Sequence, residues 1–161
     1  MARLMMPVVP PQAAEIIRQH QVAAPVQVGA IAGQLGLSVL ISDLPLAVSG
    51  MLTRDRESGK WTIRVNRHEH RHRQRYTIAH EIAHFVLHRD AFGDELVDDT
   101  FYRSGLSETR EYEANALAAE ILMPWPLIKN LMKQDFREVA ALADALQVSP
   151  AAMSIRLGLP T

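Results

Sequence analysis

The chain has 161 residues, 48% of them hydrophobic and 22% charged, which is enough for one domain with a real core and ordinary for a globular protein. Its formal net charge of −1 gives no global field to recruit nucleic acid or an acidic membrane. The absence of cysteine excludes disulfides and thiolate zinc sites, leaving histidine and carboxylate as ligand types.

Residues 1–11 carry one arginine and a short apolar stretch broken by Pro7, Pro10 and Pro11. That stretch is too interrupted for a signal peptide or a membrane span, so a cytoplasmic location is expected. Residues 12–20 predict a short helix opening just after a proline. Residues 26–35 predict a second, with Val28, Ile31, Ala32 and Leu35 at helical spacing and Gly36 as its stop. The apolar run at 37–41 predicts a strand. Residues 46–53 and 60–66 alternate, the latter setting Trp61, Ile63 and Val65 against polar neighbours, and turn residues at 55–59 join them as an antiparallel hairpin. Asn66 and Glu69 then fit an Asn-x-x-Glu capping box leading into a long helix. Residues 67–75 are the densest charge run. With no interleaved aromatic residue to stack a base, they predict solvated first turns rather than a nucleic-acid patch or a second metal site.

The long helix carries Ile78-Ala79-His80-Glu81-Ile82-Ala83-His84-Phe85, an H-E-x-x-H pattern. Residues i and i+4 share a helix face, so His80 and His84 can present ring nitrogens to one metal ion. Glu81 is turned about 100° from them, where a carboxylate can deprotonate a water beside the ion. The five residues alone fit two partly exposed helix histidines equally well. His88 lies about 12 Å along the axis from His80, too far for one ion to take all three rings, and is expected to be structural or exposed.

Residues 89–107, with Gly93, Gly105 and the acidic Asp94, Glu95, Asp98 and Asp99, read as a loop crossing a cleft. Ser107 is expected to cap a helix over 108–123, ended by Pro124 and Pro126. A catalytic zinc site needs a third protein ligand and an open position. On this helix Glu111 can be that ligand while Asn115, one turn on, reaches a ring nitrogen of His80 or His84. Glu113 competes, but lies about 200° away, so only one of the two glutamates can face the site. Three short helices follow at 127–134, 136–146 and 150–157. No repeat or linker divides the chain, so one domain spans 1–161, with 136–157 as a helix-turn-helix-like appendage. The second helix of that appendage has a single basic residue, Arg156, and direct DNA binding is therefore not expected.

The run Arg75-Tyr76-Thr77-Ile78-Ala79-His80-Glu81-Ile82-Ala83-His84, with Leu87-His88 after it, resembles the signature of the ImmA/IrrE family of zinc-dependent peptidases. So does Glu111-Tyr112-Glu113-Ala114-Asn115, continuing to Met123-Pro124. Residues 31–37, Ser49-Gly50 and the tail at 142–157 fit as well, so the resemblance covers roughly 28–157. Ile82-Ala83 and Leu117 stand where the family usually has Leu-Gly and Phe. The resemblance implies a zincin-like α+β fold: a small antiparallel sheet packed on a long HExxH helix, with a C-terminal helical segment. It implies Zn2+ held by His80, His84 and Glu111, with Glu81 as general base. It also implies a metallo-endopeptidase whose protein substrate is a helix-turn-helix repressor encoded nearby. A strand over 50–53 is expected to pair with substrate backbone. Tyr102 and Arg103 both stand as oxyanion donors. Two other functions fit the same residues: a non-proteolytic, antitoxin-like regulator, and a DNA-binding module built on 139–157.

Overall fold

At the centre lies β3 (Trp61–Asn66), in a computed structural model that describes residues 8–91 and 108–160. Strand alternation puts Ile63 and Val65 in the core. β2 (Gly50–Arg54) pairs antiparallel with β3, Leu52 opposite Ile63, which is the expected hairpin. On the other side β1 (Leu37–Ser42) runs parallel to β3, Val39 opposite Ile63. The architecture is α+β as expected, but the sheet is mixed, in the order β1-β3-β2, rather than wholly antiparallel.

That order has a physical consequence. After β1 the chain must cross the end of β3 to reach its far side, and residues 43–49 make the crossing. Asn66 holds them there. Its Nδ2 donates to the carbonyls of Val48 at 2.8 Å, Pro45 at 3.0 Å and Leu44 at 3.3 Å, and its Oδ1 accepts from the His68 N–H. A buried amide with these partners is fully used, so the expected capping box with Glu69 does not form. Glu69 instead accepts from Ser49 Oγ at 2.9 Å. The long helix α3 (Arg71–His88) starts later, capped by His70, whose Nδ1 accepts from the His72 N–H.

From Arg75 onward α3 is buried nearly all round, as a helix central to a small fold must be. It packs against β2, β3, α2 (Val28–Gln34) and α4 (Glu108–Leu122), with α1 (Pro11–Gln19) against α2. Gly50 is where β2 meets α3: a Cβ there would overlap the Thr77 methyl and stand 2.9 Å from the Arg64 carbonyl oxygen. On α4 the buried positions Ala114, Ala118 and Ile121 continue the face that Glu111 begins, and the small side chains of Ala114 and Ala118 let α4 lie close on α3.

The charge run is only partly solvated. Arg67, Arg71 and Arg73 are exposed, but Arg75 is buried. Its Nη2 donates to Val26 O at 2.8 Å and its Nε to Gln147 O at 3.3 Å, tying α3 to two distant loops. Burial pulls the Arg75 pKa down, with Arg71 adding to the effect.

A 3-10 turn, Arg89–Ala91, follows α3. The Gly93–Gly105 loop, its acidic residues, the Ser107 cap, Tyr102 and Arg103 lie outside the described residues. The chain closes with α5 (Trp125–Lys133), α6 (Val139–Leu146) and α7 (Pro150–Arg156). Gln147, at φ 56°, ends α6 in the left-handed conformation, and Ser149 Oγ caps α7 by accepting from the Ala152 N–H. Arg156 Nε donates to Met123 O at 3.0 Å and its guanidinium lies 5.1 Å from the Trp125 ring centroid, latching α7 to the α4–α5 corner. Among the described residues no helix is long and apolar enough to cross a membrane.

Candidate metal centre

The i, i+4 spacing of His80 and His84 puts the two rings one turn apart on α3, with centroids 4.7 Å apart and planes at 87°. The first turns of α4 bring Glu111 to them. Its Oε1 lies 3.1 Å from Nε2 of His84 and its Oε2 3.6 Å from Nε2 of His80. One ligand atom from each residue falls within 4.8 Å of the other two.

This donor set fits a divalent cation. Tetrahedral zinc bonded to nitrogen and carboxylate oxygen at about 2.0–2.2 Å separates its ligand atoms by roughly 3.3–3.6 Å. The two histidines are buried, while the Glu111 side chain keeps 27% of its surface. Among the described residues three protein donors meet here, the number that a catalytic zinc site takes from its protein.

Glu81 does not join the trio. It is 1% exposed and faces a small recess lined by Ser49, Gly50, Arg73, Tyr76, Thr77 and His80. Its carboxylate therefore borders the site from the β2 side, out of bulk water.

Asn115 is not where helix geometry suggested. Its Oδ1 accepts from the Tyr76 hydroxyl at 2.7 Å instead of meeting a histidine. The Tyr76 ring, one turn before His80, stacks on that imidazole with centroids 6.1 Å apart and planes at 25°. Burial pushes the Tyr76 phenol above its usual pKa; Arg73 pulls it down, and the Glu111 carboxylate adds to the upward push. Tyr76 has the same i−4 relation to His80 that His80 has to His84, and that spacing and its place in the family signature were its signals in the sequence.

His88 is buried rather than exposed. Its Nδ1 lies 3.0 Å from Nδ1 of His84, and its Nε2 lies 3.0 Å from Oε1 of Glu113. The two glutamates thus take separate tasks: Glu111 faces the two motif histidines and Glu113 faces His88.

Comparison with known families matches residues 32–158 to Peptidase_M78, described as the IrrE N-terminal-like domain. Among solved structures, a Mycobacterium tuberculosis transcriptional regulator is similar with a TM-score of 0.62 at 18% identity, over 92% of this chain and 46% of that one. That likeness concerns the fold, and the chain spans about half the length of the regulator. No curated protein matches the sequence.

Proposed function

The chain belongs to the Peptidase_M78 (IrrE N-terminal-like) family, a metallopeptidase-type domain, and from that premise we propose that it is a zinc-dependent endopeptidase acting on a protein substrate. The observation that carries the proposal is the convergence of His80, His84 and Glu111, with the Glu81 carboxylate buried beside them. In this reading His80, His84 and Glu111 hold Zn2+, and Glu81 is the catalytic residue. A divalent cation held by these three residues would supply Lewis-acid chemistry, polarising a scissile carbonyl and making a water more acidic.

Glu81 acts on that water as general base. As the water oxygen bonds to the carbonyl carbon, Glu81 takes its proton; as the C–N bond breaks, Glu81 returns the proton to the leaving nitrogen. Burial in the recess keeps competing water from the carboxylate. β2, an edge strand of the sheet among the described residues, borders the recess through Gly50 and pairs with the extended backbone of the substrate.

The substrate we favour is a helix-turn-helix repressor encoded beside the gene for this chain, and the test is to co-express the two. Wild-type protein should cut the repressor, and Glu81→Gln should not, while still binding zinc. If Glu81→Gln relieves repression as well as wild type and no cut appears, a non-proteolytic regulator that sequesters its partner is the better reading. Direct DNA binding by α6 and α7 is disfavoured because Arg156, the basic residue of α7, is engaged with Met123 O and Trp125.

A further inference from the structure

Two neutral imidazoles that meet nitrogen to nitrogen can share only one hydrogen, and for His84 and His88 the Glu113 carboxylate decides which ring carries it. A carboxylate only accepts, so Glu113 requires the N–H of His88 to sit on Nε2. A neutral imidazole has one N–H, so Nδ1 of His88 is then bare. The 3.0 Å contact between the two Nδ1 atoms is a hydrogen bond only if His84 donates. His84 has then placed its N–H on Nδ1, and its Nε2 presents a lone pair. That lone pair faces Glu111 Oε1 at 3.1 Å, acceptor against acceptor, an approach that is favourable only with a positive centre between them.

We propose that His88 and Glu113 are positioning residues: a buried relay running Glu113 to His88 to His84 that locks the His84 ring in the orientation and tautomer that present Nε2 to a cation. The inference rests on the metal-site reading above. It extends that site through a third histidine to a second carboxylate of α4, so Glu113 meets His88 on α3 much as Glu111 meets His84. Partners of this kind orient ligand rings and raise their basicity, and their loss typically weakens metal binding about 10–100-fold.

The relay makes a specific demand on position 88: an acceptor toward His84 and a donor toward Glu113, on one short planar group. A side-chain amide offers both; a leucine fills similar space and offers neither. The test is zinc affinity, measured by competition with a chromophoric chelator, for wild type, His88→Leu, His88→Gln and Glu113→Ala. The visible spectrum of each Co2+-loaded protein and the thermal melt of each metal-free protein are recorded alongside. His88→Leu should bind zinc about 10–100-fold more weakly, with an altered cobalt spectrum, and His88→Gln should recover most of the loss. Glu113→Ala, at a position nearer the surface, should shift both readouts in the same direction. The proposal is overturned if His88→Leu or Glu113→Ala holds zinc within about twofold of wild type, or if His88→Gln falls as far as His88→Leu. That last result would mean packing alone. Wild-type protein that takes up no zinc would instead sink the metal reading, and this proposal with it.

Discussion

Gly50 and Thr77 touch so closely that no side chain fits between β2 and α3. The contact sets the distance from the edge strand to Glu81, because both residues line the same recess. Gly50→Ala must push the strand away from a helix buried on its other sides. It should destabilise the protein by about 1–3 kcal/mol in urea melts and lower peptidase activity further. Gly33 is the control: it sits inside α2 with open space around it, and Gly33→Ala should gain about 0.5–1 kcal/mol.

Glu81→Gln keeps size and shape but cannot accept a proton. With a peptide substrate, kcat/KM should fall about 10²–10⁴-fold, as expected for loss of a general base. Zinc content should stay at the wild-type level, because Glu81 lies beside the donor trio rather than in it. Full activity in this variant would remove Glu81 from the mechanism.

Metal binding should also be a stability measurement. A cation that binds only the folded chain, at one hundred times its Kd, adds about 2.7 kcal/mol. Zinc should raise the Tm, a strong chelator should reverse the rise, and Glu111→Ala should abolish it. A Tm indifferent to zinc in wild-type protein would argue against the site.

Arg75 tests whether the charge run is decoration or structure. Arg75→Met keeps much of the apolar stem but abandons the carbonyls of Val26 and Gln147. Charge-assisted hydrogen bonds of this kind are worth about 1.5–3 kcal/mol each, and a loss on that scale is expected in denaturant melts. The same change at exposed Arg71 should be nearly silent.

The Tyr76 hydroxyl and Asn115 form one unit, so their deletions should not add. Tyr76→Phe and Asn115→Ala should each destabilise modestly, and the double variant should fall short of the sum by about 0.5–1.5 kcal/mol. Zinc affinity should change little in Tyr76→Phe, since the ring that stacks on His80 is retained. Strict additivity would mean that the hydrogen bond contributes nothing.

What could be read in the sequence was local. The alternation of Trp61, Ile63 and Val65, the turn at 55–59 and the four-residue spacing of His80 and His84 all act within one element, and each element formed within a few residues of its expected bounds. The approach of Glu111 to the histidines followed from periodicity on a second helix together with the family pattern. What could not be read was decided between elements. Asn66 looked like a helix cap because its nearest neighbours fit one; its Nδ2 partners are carbonyls at 44, 45 and 48, within the strand crossing. Arg75 sits in a polar run, yet two loops distant in sequence close over it. Asn115 and His88 were each assigned by axial spacing alone. Their partners, Tyr76 and Glu113, depend on how far α4 slides along α3, and no pattern within either helix encodes that register.

The turn from Asp55 to Gly59 sits at the opposite end of the hairpin from Gly50 and the recess. It closes on itself: Asp55 Oδ1 accepts from the Glu57 N–H at 2.9 Å, and Gly59 N–H returns to Asp55 O at 2.7 Å. At about 3.4 Å per residue, the five residues of β2 put this tip about 17 Å from Gly50 and the recess. It is therefore a natural attachment point for a fluorophore or spin probe: a reporter grafted there would ride on the sheet and follow substrate docking at the strand edge without touching the residues that bind or cut.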